Sequence, residues 1–113
     1  MRVTFTNDAE RDRVLLVTPV GNLDARGATH LWDTVESNLD EDSQGVVIDM
    51  NSVDFLSSAG IGILVRLLRR ANRNGGTVAL FGVGQGPLKV LQVCDLEDVL
   101  NVSVTLEHAR DHF

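Results

Sequence analysis

The sequence predicts an α/β fold: a small mixed, mainly parallel sheet of about five strands, with an N-terminal antiparallel hairpin and helices packed against it. Three observations predict it. Short apolar runs rich in β-branched residues recur at Val14–Val17, Val46–Ile48 and Thr77–Phe81, continuous as in strands covered on both faces. Segments of helical periodicity separate them, and Gly, Pro or Asn marks most of the joins. The 113 residues, 43% apolar and 23% charged, show no repeat and no Pro- or Ser-rich linker, so a single domain over 1–113 is expected.

The elements follow in order. Arg2–Thr6 alternates, with Val3 and Phe5 on one face, as a half-buried strand does. Val14–Val17 is the second strand, which Pro19 and Gly21 are expected to end. Asp24 is a natural N-cap for a helix carrying Ala28, Leu31, Trp32 and Val35, continued by Leu39. An acidic turn over Asp40–Gln44 leads to the strand Val46–Ile48, closed by Asp49. Val53 and Phe55 flank Asp54 in a chain that stays extended up to the Leu56-Ser57-Ser58 corner. Ser58 opens the clearest helix. Its apolar stripe is Ile61, Leu64, Val65 and Leu68, widened by Ile63 and Leu67, and the opposite face carries Arg66, Arg69, Arg70 and Arg73. Asn74-Gly75-Gly76 supplies a left-handed stop before the strand Thr77–Phe81. Gly86-Pro87 is expected to start a short helix with Pro at its first position, carrying Leu88, Leu91 and Cys94. Val102, Val104 and Leu106 alternate as a last strand before a polar tail with the makings of a helical turn.

Charge narrows the function classes. Ten Lys+Arg against 16 Asp+Glu give a net charge of −6, whose field repels phosphates and argues against direct nucleic-acid or anionic-membrane binding. A single cysteine, Cys94, excludes an internal disulfide and a Cys-rich metal site. With no run approaching the ~20 apolar residues of a span and no signal-peptide plan, no membrane insertion and a cytoplasmic location are expected.

Few residue patterns carry chemistry. His108 and His112 are four apart, which a helical tail would bring together as a metal pair, but they read as a frayed polar terminus. No carboxylate pair has a spacing for acid–base work. Gly82-x-Gly84-x-Gly86-Pro87 lies where phosphate loops occur, yet it lacks the P-loop Lys-Ser/Thr and the dinucleotide spacing, and reads as a turn. The arginine stripe reads as a solvated outer face, with an acidic-partner patch as the bolder account. The informative segment is Val53-Asp-Phe-Leu-Ser-Ser-Ala-Gly-Ile-Gly62. Two hydroxyls meet at a strand-to-helix corner, and Gly60 and Gly62 clear side chains from the first turns. Ser58 would then be an accessible hydroxyl at the positive end of a helix, or one of Ser57 and Ser58 would simply cap it. A serine-hydrolase elbow is excluded, because Leu56 stands where its first glycine belongs.

This segment resembles the STAS domains, the family shared by anti-sigma factor antagonists and the cytoplasmic ends of sulfate transporters. The antagonist pattern is an apolar strand ending near Asp, then V-x-F-[ML]-D-S-[ST]-G-[LI]-G opening a long helix. Here it reads Val46-Val47-Ile48-Asp49, then Val53 to Gly62. Gly21-Asn22-Leu23-Asp24 is similar to the family's G-x-L-D, and Asn74-Gly75-Gly76 leads into a strand as in the family. The likeness spans essentially the whole chain.

The resemblance implies a non-enzymatic phosphoswitch without cofactor or metal. In antagonists the first hydroxyl after the Asp is phosphorylated by the anti-sigma factor, itself an ATP-dependent Ser/Thr kinase, and a phosphoserine phosphatase resets it. That position falls on Ser58. Two departures stand out. Ser57 replaces the Asp and becomes a second candidate acceptor, and Ala59 replaces the second Ser/Thr. The partner surface implied is Asp24, Ser57, Ser58, Ala59, Gly60, Ile61 and Gly62. The alternative implied by the same family is a STAS accessory subunit of a membrane transporter or scaffolding complex.

Overall fold

The structure is a computed structural model that describes residues 1–43 and 45–113. The chain runs β1 (Arg2–Asn7), β2 (Val14–Leu23), α1 (Ala25–Glu36), β3 (Gly45–Asp49), β4 (Val53–Leu56), α2 (Ser58–Arg73), β5 (Thr77–Phe81), α3 (Gln85–Val93), β6 (Val102–Ser103) and α4 (Leu106–Arg110). Gln44, the last residue of the expected acidic turn, lies outside the described residues. The sheet has six strands, one more than expected, in the order β1-β2-β3-β5-β6 with β4 also on β2. Only β1–β2 is antiparallel, which gives the expected mixed, mainly parallel sheet with its N-terminal hairpin.

The extra strand exists because β2 does not end at Pro19. Val14–Val17 pairs with β3, and Gly21–Leu23 pairs with β4. Pro19, which has no N–H to give, falls in the interval where neither parallel partner is in register. Gly21 takes φ +121°, and the register shifts between Gly21 and Asn22. The glycine therefore bends the strand rather than stopping it.

Both faces of the sheet are covered, as the continuous apolar runs require. Leu15, Val17, Val46, Ile48, Val78 and Leu80 face the main core with Leu31, Val35, Leu64 and Leu67 from α1 and α2. Val14, Val47 and Ala79 face the other way, under Ala109, Leu106 and Phe113 at the C-terminal end. β1 is the edge strand, so Val3 is half-buried while Phe5 remains 47% exposed.

Four local expectations are corrected. The buried face of α2 is Gly60, Ile63, Leu64, Leu67, Leu68 and Ala71, while Ile61 and Val65 are only half-buried. Its centre line, Gly60-Leu64-Leu67-Ala71, is set by a glycine that a hydrophobicity count ignores. α3 begins at Gln85, which makes Pro87 its third residue. The missing N–H is harmless there, because the first turn has no acceptors for such groups. Leu91 of α3 is buried but Cys94 is exposed. The last strand stops at Ser103: Val104 is 83% exposed, and Thr105 caps α4 by accepting from the His108 N–H at 3.1 Å.

α4 is tied down by an ion pair the sequence did not suggest. The fully buried Asp8 side chain accepts from Arg110 Nε at 3.1 Å, and its Oδ1 accepts from the Glu10 N–H at 2.8 Å. Burial alone pushes the Asp8 carboxyl upward. The Arg110 hydrogen bond, the Glu10 and Arg11 N–H groups and the Arg110 charge outweigh burial and hold it below its ordinary value. α2 ends as expected, with Gly75 at φ +78° and Gly76 N–H donating to Ala71 O at 3.0 Å.

Candidate functional site

Parallel pairing sets Leu23 beside Leu56, so the chain leaves two neighbouring strands at the same level. α1 starts two residues after Leu23 and α2 two residues after Leu56. Two helix N-termini, each with unpaired N–H groups and a partial positive charge, therefore open side by side. Asp24 caps the first, its Oδ1 accepting from Gly27 N–H at 2.9 Å. Gly27 is buried, and a Cβ there would collide with Asn22 O, so α1 can settle onto the end of β2 only with glycine at this position.

Ser57 caps the second helix and is fully engaged. Its Oγ accepts from Gly60 N–H at 3.2 Å and donates to Leu23 O at 3.1 Å, and its own N–H donates to the same carbonyl at 3.1 Å. One carbonyl thus joins the two helix starts. Gly60 is buried against it, since a Cβ there would strike Leu23 O.

Ser58, the first residue of α2, is exposed. The two serines that the sequence left as interchangeable caps are therefore distinct. Ser57 is spent on the backbone, and Ser58 is an exposed residue at the helix N-terminus. Asp24 and Gly62 are also exposed, and no heavy atom lies within 4 Å of where a Gly62 Cβ would stand. Ala59 and Ile61 are half-buried. Phe55, 52% exposed on the strand leading into the corner, lies outside the predicted set; its alternation with Val53 masked it, because Val53 faces the core and Phe55 does not.

The other motifs fall elsewhere. Gly82 (φ +69°) packs on the side chain of Asn51, whose Nδ2 donates to Asp49 Oδ1 at 2.7 Å, so the first glycine of that loop serves a turn contact. His108 and His112 do meet, with ring centroids 5.8 Å apart, at the exposed end of α4.

The STAS domain family model matches residues 6–109 of this chain. The chain belongs to the STAS domain family. Among relatives, the anti-sigma-F factor antagonist RsfA of Mycobacterium tuberculosis is 25% identical over 101 residues, covering 87% of this STAS domain and 78% of that protein. The structure of an anti-sigma-factor antagonist (STAS) domain protein from Planctomyces limnophilus superposes with a TM-score of 0.80 at 24% identity, covering 95% of this chain and 92% of that one. SpoIIAA, a Bacillus cell fate determinant, has been solved in both states. The unphosphorylated form gives a TM-score of 0.76 over 96% of this chain and 94% of its own, and the phosphorylated form 0.69 over 96% and 97%, both at 17% identity. These structural likenesses establish the STAS fold. Among the described residues, no helix is long and apolar enough to cross a membrane.

Proposed function

We propose that this STAS domain is a cytoplasmic anti-sigma factor antagonist, a non-enzymatic regulator that binds a kinase-type anti-sigma factor through the Asp24 loop and the start of α2. Phosphorylation of Ser58 ends that binding. One observation carries the reading: of two adjacent hydroxyls, Ser57 is held by Leu23 O and Gly60 N–H, while Ser58 is exposed. Support comes also from curated relatives that are named anti-sigma factor antagonists.

The chemistry is local. The partner transfers the γ-phosphoryl of its ATP to Ser58 Oγ, whose proton is lost as ADP leaves; a phosphoserine phosphatase hydrolyses the ester. The modification adds roughly 1.5 to 2 negative charges, taking the formal charge from −6 to about −8. Two helix N-termini stabilise that anion, so the fold tolerates it. A partner fitted to the bare hydroxyl meets bulk and an unpaired charge, costing several kcal/mol when buried, and about 1.4 kcal/mol is already tenfold in affinity. The complex dissociates without a change of fold, and the sigma factor is recaptured.

The test is a pull-down of the cognate kinase with the native chain, Ser58→Ala and Ser58→Asp, with mass spectrometry after incubation with ATP. The expected result is a single phosphate on Ser58, retained binding by Ser58→Ala and lost binding by Ser58→Asp. Equal binding by both variants with no phosphate on either serine overturns the switch.

A further inference from the structure

The arginine stripe of α2 plays no part in the switch described above. Arg66, Arg69, Arg70 and Arg73, four of the chain's ten basic residues, line a groove of about 580 Å³ with Trp32 and Glu36 of α1 and with Gly62. The Arg66 guanidinium lies 3.8 Å from the centroid of the Trp32 ring. Among the described residues none of the four arginines forms an ion pair. The helix dipole accounts for Arg70 and Arg73 in the last turn, but not for Arg66 and Arg69. Like charges three and four residues apart repel, in a chain that is otherwise acidic.

The stripe is also continuous with the candidate site. Ser58, Gly62, Arg66, Arg69 and Arg73 follow one another at i, i+4, i+8, i+11 and i+15, a single row along about 22 Å of helix. Gly62 sits bare in the middle of it, exposed and with open space around it. An exposed helical glycine weakens the helix without a packing reason, and here it keeps the row clear between the hydroxyl and the cations.

We propose that this groove seats an acidic segment of the protein that docks at Ser58, a helix whose carboxylates recur every turn opposite the arginines. Guanidinium–carboxylate pairing at one-turn spacing fits two helices lying side by side. An extended polyphosphate fits poorly, because the cationic row is short, the net charge is −6 and the Trp32 ring is already covered by Arg66. An anionic bilayer fits poorly too, since the groove offers no apolar side chain but the half-buried Trp32. The identity of the partner rests on the Ser58 reading; the groove's preference for carboxylates does not.

Trp32 is the only tryptophan and reports on the groove directly. The probe is an acetylated, amidated, tryptophan-free helical peptide with glutamates at i, i+3, i+4 and i+7, titrated into the native chain, Ser58→Ala and the double variant Arg69→Gln/Arg73→Gln. Both replaced arginines are exposed, and unfolding curves check the fold of the variant. The expected result is a saturable change in Trp32 emission, weakened by salt, alike in native and Ser58→Ala, and about tenfold weaker in the double variant. No saturable change, equal affinity in the double variant, or tighter binding of oligothymidylate or phosphatidylserine vesicles overturns the acidic-peptide assignment. Unchanged kinase capture by the double variant overturns the link to the partner. Peptide binding that persists where Ser58 substitutions leave kinase capture unaffected overturns the switch alone and leaves the groove standing.

Discussion

Gly60 and Gly62, two residues apart on α2, should respond to alanine in opposite directions. At Gly62 the new methyl enters open space. The substitution therefore gains up to about 1 kcal/mol of helix propensity, a rise in Tm of about 4 °C for a chain of this size. At Gly60 the same gain is opposed by a collision. The methyl would strike Leu23 O and stand 2.8 Å from Leu56 Cδ1 and 3.0 Å from Leu23 Cγ. A leucine methyl can swing aside, but the carbonyl is held by two hydrogen bonds from Ser57. Lifting α2 costs about 1 to 3 kcal/mol in overpacking and about 1 kcal/mol more for each cap bond lost. The net for Gly60→Ala is a loss of about 1 to 3 kcal/mol, or roughly 4 to 12 °C in Tm. Thermal and urea unfolding followed by circular dichroism in one buffer measures both. A Gly60→Ala protein as stable as the native chain, or a Gly62→Ala protein less stable than it, would refute the packing argument.

The two serines separate on stability as well as on modification. Ser57→Ala loses the cap and is expected to cost about 1 kcal/mol or somewhat more, whereas Ser58→Ala stays within about ±0.5 kcal/mol; equal losses in urea titrations would contradict the assignment of roles. Asp8→Asn tests the clamp on α4. Because the folded carboxyl is held below its unfolded value of about 3.9, its contribution is present above that pH and lost as pH falls through the lower, folded value. The native chain is therefore expected to exceed Asp8→Asn in urea midpoint near neutrality, with the gap closing in acid. A gap that does not change with pH would remove Asp8 ionisation as the cause.

Short apolar runs and helical spacing were enough to read the order of strands and helices except for β4, because both signals are local. What escaped was decided between segments. Pro19 and Gly21 look like an ending until two partners divide β2 between them. Gly60 looks like a weak point until Leu23 O is placed beside it, and that contact rotates the buried face of α2 away from Ile61 and Val65. The pairing of Asp8 with Arg110 spans almost the whole chain and leaves no periodic trace. At the two helix starts, the cap at Asp24 and the opening of α2 at Ser58 were legible from the sequence. The distinction between the two serines was not, since it depends on an acceptor 34 residues earlier in the chain.

The carbonyl of Leu23 also fixes the spacing of the two helix starts, because Ser57 reaches it with both its hydroxyl and its N–H. With both helix starts held to one atom, a substitution that moved either of them would displace the other. Exposed positions beside that anchor, Ser58 and Gly62, can be varied with the scaffold beneath left as it is.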